Sequence, residues 1–123
     1  MGRVHKGPRV AQSVRIPVAH REHYRARATA LRIPVSDYVM ARLAVAEGLP
    51  IPPEIYRAHP GVLLVHPVEE WAALLDGMPP VVAERVRRHL TETARDSEDL
   101  RADLAAAGLS YLLEEGTTLR KIA

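Results

Sequence analysis

Residues 9–48, RVAQSVRIPVAHREHYRARATALRIPVSDYVMARLAVAEG, decide the fold, because one strand-like stretch and two helix-like stretches follow one another in this short span. A piece of that size cannot bury a core by itself. Along residues 10–16 the side chains alternate: Val10, Val14 and Ile16 share one face with Gln12 as the polar exception, and Ala11, Ser13 and Arg15 share the other. Pro17 ends the pattern. A strand this isolated carries unpaired N–H and C=O groups on both edges, and no second strand of matching strength lies nearby. The economical partner is the same strand from a second copy of the chain.

Past Pro17, Tyr24, Ala28 and Leu31 recur at helical spacing, so a first helix is expected from about residue 18 or 19 to about residue 31. Arg21, Arg25, Arg27 and Arg32 decorate its other faces. The linker Arg32-Ile33-Pro34-Val35 leads to Ser36, placed to cap a second helix, with Asp37 adding a negative charge in its first turn. Val39, Leu43 and Ala46 continue an apolar stripe, and Gly48 supplies the stop.

These residues resemble the ribbon-helix-helix DNA-binding proteins of the MetJ/Arc/CopG type over residues 10–49. The resemblance is carried by SVRIP at 13–17, by small Ala28 in the first helix, by IPVSDYV at 33–39 and by Gly48. It implies a mainly α chain with one short N-terminal strand, in which two copies pair their strands into an antiparallel ribbon that enters the DNA major groove. By the same resemblance Ala11, Ser13 and Arg15 are base-reading positions. Arg15 leads, since its fork can donate to guanine O6 and N7 together. Val35 and Ser36 carry over as positions whose backbone N–H groups hold a phosphate. Val14, Ile16, Tyr24, Ala28, Leu31, Val39 and Leu43 are the expected dimer core.

Charge supports a nucleic-acid partner. Residues 1–50 carry nine Lys and Arg against three Asp and Glu, a net +6; residues 51–123 carry eight against twelve, a net −4; together they give the chain its +2. A basic half joined to an acidic half suggests that the first faces phosphate and the second something else. Residues 1–9 read as a flexible basic arm whose Arg3, Lys6 and Arg9 lie along phosphates.

The proline-rich run at 50–53 is the expected linker, and residues 54–123 the expected helical region for interaction and oligomerisation. Within it, residues 54–59 suit one short helical turn, and VLLV in 61–66 a short buried strand or extended segment. Val68, Trp71, Ala72 and Leu75 mark an amphipathic helix over 67–76, ended by Gly77 and Pro79-Pro80. A further helix is expected over 81–95, with Val82, Val86 and Leu90 on one side. Asp96-Ser97-Glu98-Asp99 starts another, striped by Leu100, Leu104, Ala107 and Tyr111. In the tail, Leu119 and Ile122 are candidates for a partner contact.

Other chemistry finds little footing. There is no Cys, no apolar run of membrane-spanning length and no signal-like segment at residues 1–9, so a cytoplasmic, nucleoid-associated protein is expected. His20 and His23 have a spacing that a metal can use, but no third ligand accompanies them. His59, His66 and His89 lie among acids without nucleophile–base spacing, so neither catalysis nor a cofactor is expected. The expectation is a homodimeric, site-specific double-stranded DNA-binding protein, a transcriptional repressor that assembles into tetramers or larger arrays on DNA. The alternatives are the antitoxin of a toxin–antitoxin pair, its acidic half binding the toxin, and a plasmid partition or conjugation accessory protein.

Overall fold

The computed structural model describes residues 8–113 of the 123-residue chain, and these are mainly helical. Two compact units divide the chain, Met1–His66 and Pro67–Ala123.

The first unit contains α1 (Val18–Ala30), α2 (Val35–Glu47), α3 (Pro53–Ala58) and the 3-10 helix Pro60–Val65. Pro17 sets the start of α1: its extended backbone turns the chain in, and its carbonyl accepts the Arg21 N–H at 3.0 Å. The end of α1 is a Schellman turn, in which the Ile33 N–H donates to the Ala28 carbonyl and the Arg32 N–H to that of Thr29. Arg32 takes the left-handed position there, at φ 60°. The same device closes α2, where Leu49 donates to Ala44, Gly48 to Val45, and Gly48 sits at φ 69° as the sequence suggested. α1 packs on α2, and α2 and α3 both pack on the 3-10 helix. Ala28, Ile33, Tyr38, Ala41 and Ala44 thereby join Ile51, Ile55, Tyr56, Val62 and Leu63 in one buried set.

The second unit runs through the 3-10 helix Val68–Glu70, α4 (Trp71–Asp76), α5 (Pro80–Arg95), α6 (Glu98–Ala106) and the 3-10 helix Ser110–Leu112. Trp71, Leu75, Met78, Val82, Val86, Leu90, Ala94, Leu104 and Leu112 are its buried apolar residues. Ser97 caps α6 by accepting the Leu100 N–H at 3.1 Å. Arg101 on α6 reaches back to the open end of α5 and donates to the carbonyls of Ala94 and Arg95 at 2.6 and 2.9 Å. Among the described residues no helix is long and apolar enough to cross a membrane.

Five expectations are corrected. The strand over 10–16 does not form: the described residues contain no strand, and residues 9–17 belong to no regular element. Alternation alone does not make a strand, which exists only through a hydrogen-bonded ladder to a neighbour. The other candidate, VLLV, has wound into the 3-10 helix between Pro60 and Pro67, with Val62 N–H donating to the His59 carbonyl and His66 N–H to that of Leu63. A ribbon-helix-helix module needs a strand and is not the architecture found.

The boundary also moves. The run at 50–53 is not a linker between units, because Ile51 is buried and the first unit continues through α3 to His66. The helix expected over 67–76 is split, its first turn a 3-10 helix and its α-helical part beginning only at Trp71. The final stripe is shorter than expected: Leu104 is buried, but α6 stops at Ala106, and Ala107 and Tyr111 are exposed while Leu112 turns inward. Leu119 and Ile122 lie outside the described residues.

Candidate nucleic-acid interface

The exposed surface of the first unit is dominated by one strip of sequence, residues 9–32. The segment before α1 carries the base-reading candidates Ala11, Ser13 and Arg15, and all three are exposed. So are the residues expected to lie opposite them, with Val10 91%, Val14 71% and Ile16 41% exposed. The alternation therefore produces no division into a covered and an open face within one chain, and Gln12, placed on the apolar face by the period, is exposed with the rest.

α1 is nearly as open. Of its 13 residues only Ala28 is buried, with Tyr24 half-buried. A 13-residue helix is marginal when it stands alone in water, and α1 takes its cover among the described residues from α2. Arg21, Arg25 and Arg27 on α1, Arg32 at the turn and Arg42 on α2 are all exposed, as is Arg15. These guanidiniums account for most of the positive charge of the unit. Residues 1–66 hold ten Lys and Arg against four Asp and Glu, a net +6; residues 67–123 hold seven against eleven, a net −4. The division of charge coincides with the division into units.

The residues expected in the dimer core differ in how far their own chain covers them. Ala28 is buried, Tyr24, Leu31 and Val39 are half-buried, and Val14, Ile16 and Leu43 are exposed. On the first helix, Tyr24 makes edge contacts with His20 and His23, ring centroids 6.3 and 6.0 Å away, and a tilted contact with Tyr38 at 6.3 Å. Among the described residues no group of His, Asp and Glu is arranged to hold a metal ion.

The start of α2 differs from its expected form. Pro34, not Ser36, occupies the cap position, and no side chain caps the helix; Ser36 is exposed as the second residue of the helix and Val35 is half-buried. Asp37 lies in the first turn as expected, but it is wholly buried. Its Oδ1 accepts from Arg9 Nη2 at 3.0 Å, and its Oδ2 lies 3.4 Å from His59 Nε2. Arg9 is thus engaged by a buried carboxylate, with 36% of its side chain still open. Arg3 and Lys6 lie outside the described residues.

Two groupings had no signal in the sequence. Asp37 joins residues 28 positions upstream and 22 downstream of it, separations at which no periodicity exists. Tyr56 and His66 meet through a buried 2.8 Å hydrogen bond between Oη and Nε2 with their rings stacked, a pair at ten residues' separation that fastens the end of the unit to α3. In comparisons with protein-family models, curated proteins and solved structures, nothing matches this chain.

Proposed function

We propose that the chain is a site-specific double-stranded DNA-binding protein that works as a homodimer and represses transcription by occupying its sites. The observation that carries this reading is the exposed segment 10–18, which sets Val10, Val14, Ile16 and Val18 beside Arg15 on a unit of net charge +6. Exposed apolar side chains in a row ask for a protein surface, and a second copy of the chain offers the same residues in return. Leu43, 60% exposed on α2, extends that surface. The arginines around it neutralise phosphates, and Arg15 reads bases, with Ser13 and Ala11 beside it. Nothing in this reading requires a strand within the chain.

The second unit is acidic, which favours a basic protein as its partner and keeps the antitoxin and the plasmid accessory protein as second readings. Its own buried set, centred on Trp71, Val86, Leu90 and Leu104, supports a folded module over a tail that wraps its target.

The test is selection of bound sites from random duplex DNA at roughly physiological salt, where phosphate-only binding fades and base reading persists. Enrichment of a short palindromic or repeated motif is expected. Weak binding that vanishes with salt and enriches nothing overturns the reading.

A further inference from the structure

The segment 10–17 has no hydrogen-bonded structure of its own, yet it is tied at both ends. At one end Pro17 begins α1, with its carbonyl fixed by the Arg21 N–H. At the other, Arg9 places its guanidinium on a carboxylate with 0% exposure in the first turn of α2, while keeping 36% of its own side chain open. The carboxylate is shared with His59, which sits between α3 and the 3-10 helix Pro60–Val65. A buried carboxylate has to keep company with cations and donors, so the site selects where Arg9 goes.

We infer that Asp37 is a positioning residue, a latch on Arg9 that converts the exposed segment 10–17 from a free tail into a strap closed at both ends, with His59 linking the latch to the part of the unit that follows α2. Closing a chain at both ends removes most of its conformational freedom before any partner arrives. The strap then presents Val14, Arg15 and Ile16 in a restricted set of positions. Its consequence for DNA rests on the function proposed above; the latch itself does not.

The full-length protein labelled with 15N, free of DNA and diluted until its solution mass is that of a monomer, tests the latch through the steady-state heteronuclear NOE of the amides of residues 10–16. Values near those of α1 and α2 are expected in the wild type. In Arg9→Gln they fall to those of an untethered tail while the α1 and α2 resonances stay in place, and Arg9→Lys restores them in large part. Equal values in the wild type and Arg9→Gln overturn the latch.

A second arm uses the site enriched from random DNA. Removing an anion near DNA by Asp37→Asn ought to strengthen binding if Arg9 is simply a phosphate contact released from its carboxylate. The latch gives the opposite sign, a loss of fivefold or more on the order expected when a reading segment is released. Tighter binding by Asp37→Asn overturns the proposal. If Asp37→Asn does not fold, Arg9→Gln and Arg9→Lys still decide it through the NOE; and if the wild type enriches no site, the DNA reading fails while the NOE arm still decides the latch.

Discussion

The carbonyl oxygen of Leu31 occupies the space that a side chain on Gly61 would need. Through that approach, which also brings Ile33 to 3.3 Å from the same point, the 3-10 helix Pro60–Val65 seats directly on the turn between α1 and α2. Gly61→Ala is therefore expected to lower stability by about 1–3 kcal/mol, since the obstacle is backbone and cannot swing aside. Chemical denaturation followed by circular dichroism measures it, and an unchanged midpoint would refute the seating.

The same contact fixes where the first unit ends. A fragment of residues 1–49 keeps α1 and α2 but loses Ile51, Ile55, Tyr56, Val62 and Leu63 from the buried set. It is expected to show little helix, while a fragment of residues 1–66 unfolds cooperatively, because two short helices without their cover are marginal. Far-ultraviolet circular dichroism of the two fragments separates the outcomes. Equal, cooperative unfolding of both would return the boundary to the proline run.

What the sequence revealed and what it hid divide along physical lines. Helices α1, α2 and α5 are legible because their signals are local: apolar residues at helical spacing, with Gly48 at a stop; Pro34 and Pro80, which open α2 and α5, read instead as part of a linker and as the end of the preceding helix. The strand was misread because alternation at Val10, Val14 and Ile16 is local, whereas a ladder depends on a partner elsewhere. Ile51 misled in a similar way: prolines on both sides suggested a solvated linker, but the residue between them is buried. The candidate site was half legible. The arginines announced themselves, but the partnership of Arg9 with Asp37 did not, since nothing in either residue's neighbourhood names the other.

Three helices close through left-handed residues, and only one of those residues carries a side chain. Gly48 and Gly108 sit at φ 69° and 72°, Arg32 at φ 60°. For an L-residue other than Gly, this conformation costs about 1–2 kcal/mol. Arg32→Gly is expected to stabilise the chain by roughly 0.5–1 kcal/mol after the extra flexibility of the unfolded glycine is counted, and Arg32→Val to destabilise it. Denaturation midpoints at constant slope give the comparison; a less stable Arg32→Gly would mean that the Arg32 side chain contributes more than its backbone costs.

In the second unit, the join between α5 and α6 is held by polar groups that can be removed singly. Ser97→Ala deletes the cap on the Leu100 N–H and is expected to cost about 0.5–2 kcal/mol. Arg101→Met keeps much of the side-chain stem but gives up both bonds to the end of α5, at about 1.5–3 kcal/mol, most of it from the part-buried bond to the Ala94 carbonyl and little from the exposed one to Arg95. Amide hydrogen exchange is the better readout, because protection should fall in α5 and α6 and leave α1 and α2 as they were. Loss of protection in both units alike would show that they unfold together.

Arg15 is the residue on which the proposed DNA reading turns. It is exposed in the strap, with Val14 and Ile16 on either side of it. If Arg15 grips a base edge, Arg15→Ala should weaken binding to the enriched site by about 1–3 kcal/mol and leave binding to unrelated duplexes far less affected. If it meets only phosphate, both affinities fall together and the salt dependence drops by about one counterion. Val14→Asp tests the neighbouring claim, since a charge among the mutually covered residues should turn a dimer into a monomer. The two variants are to be read together by titration against specific and random DNA and by solution mass. Arg15→Ala should stay dimeric and lose discrimination, and Val14→Asp should lose both the dimer and the site. A Val14→Asp chain that remains dimeric would place the contact between copies somewhere other than the strap.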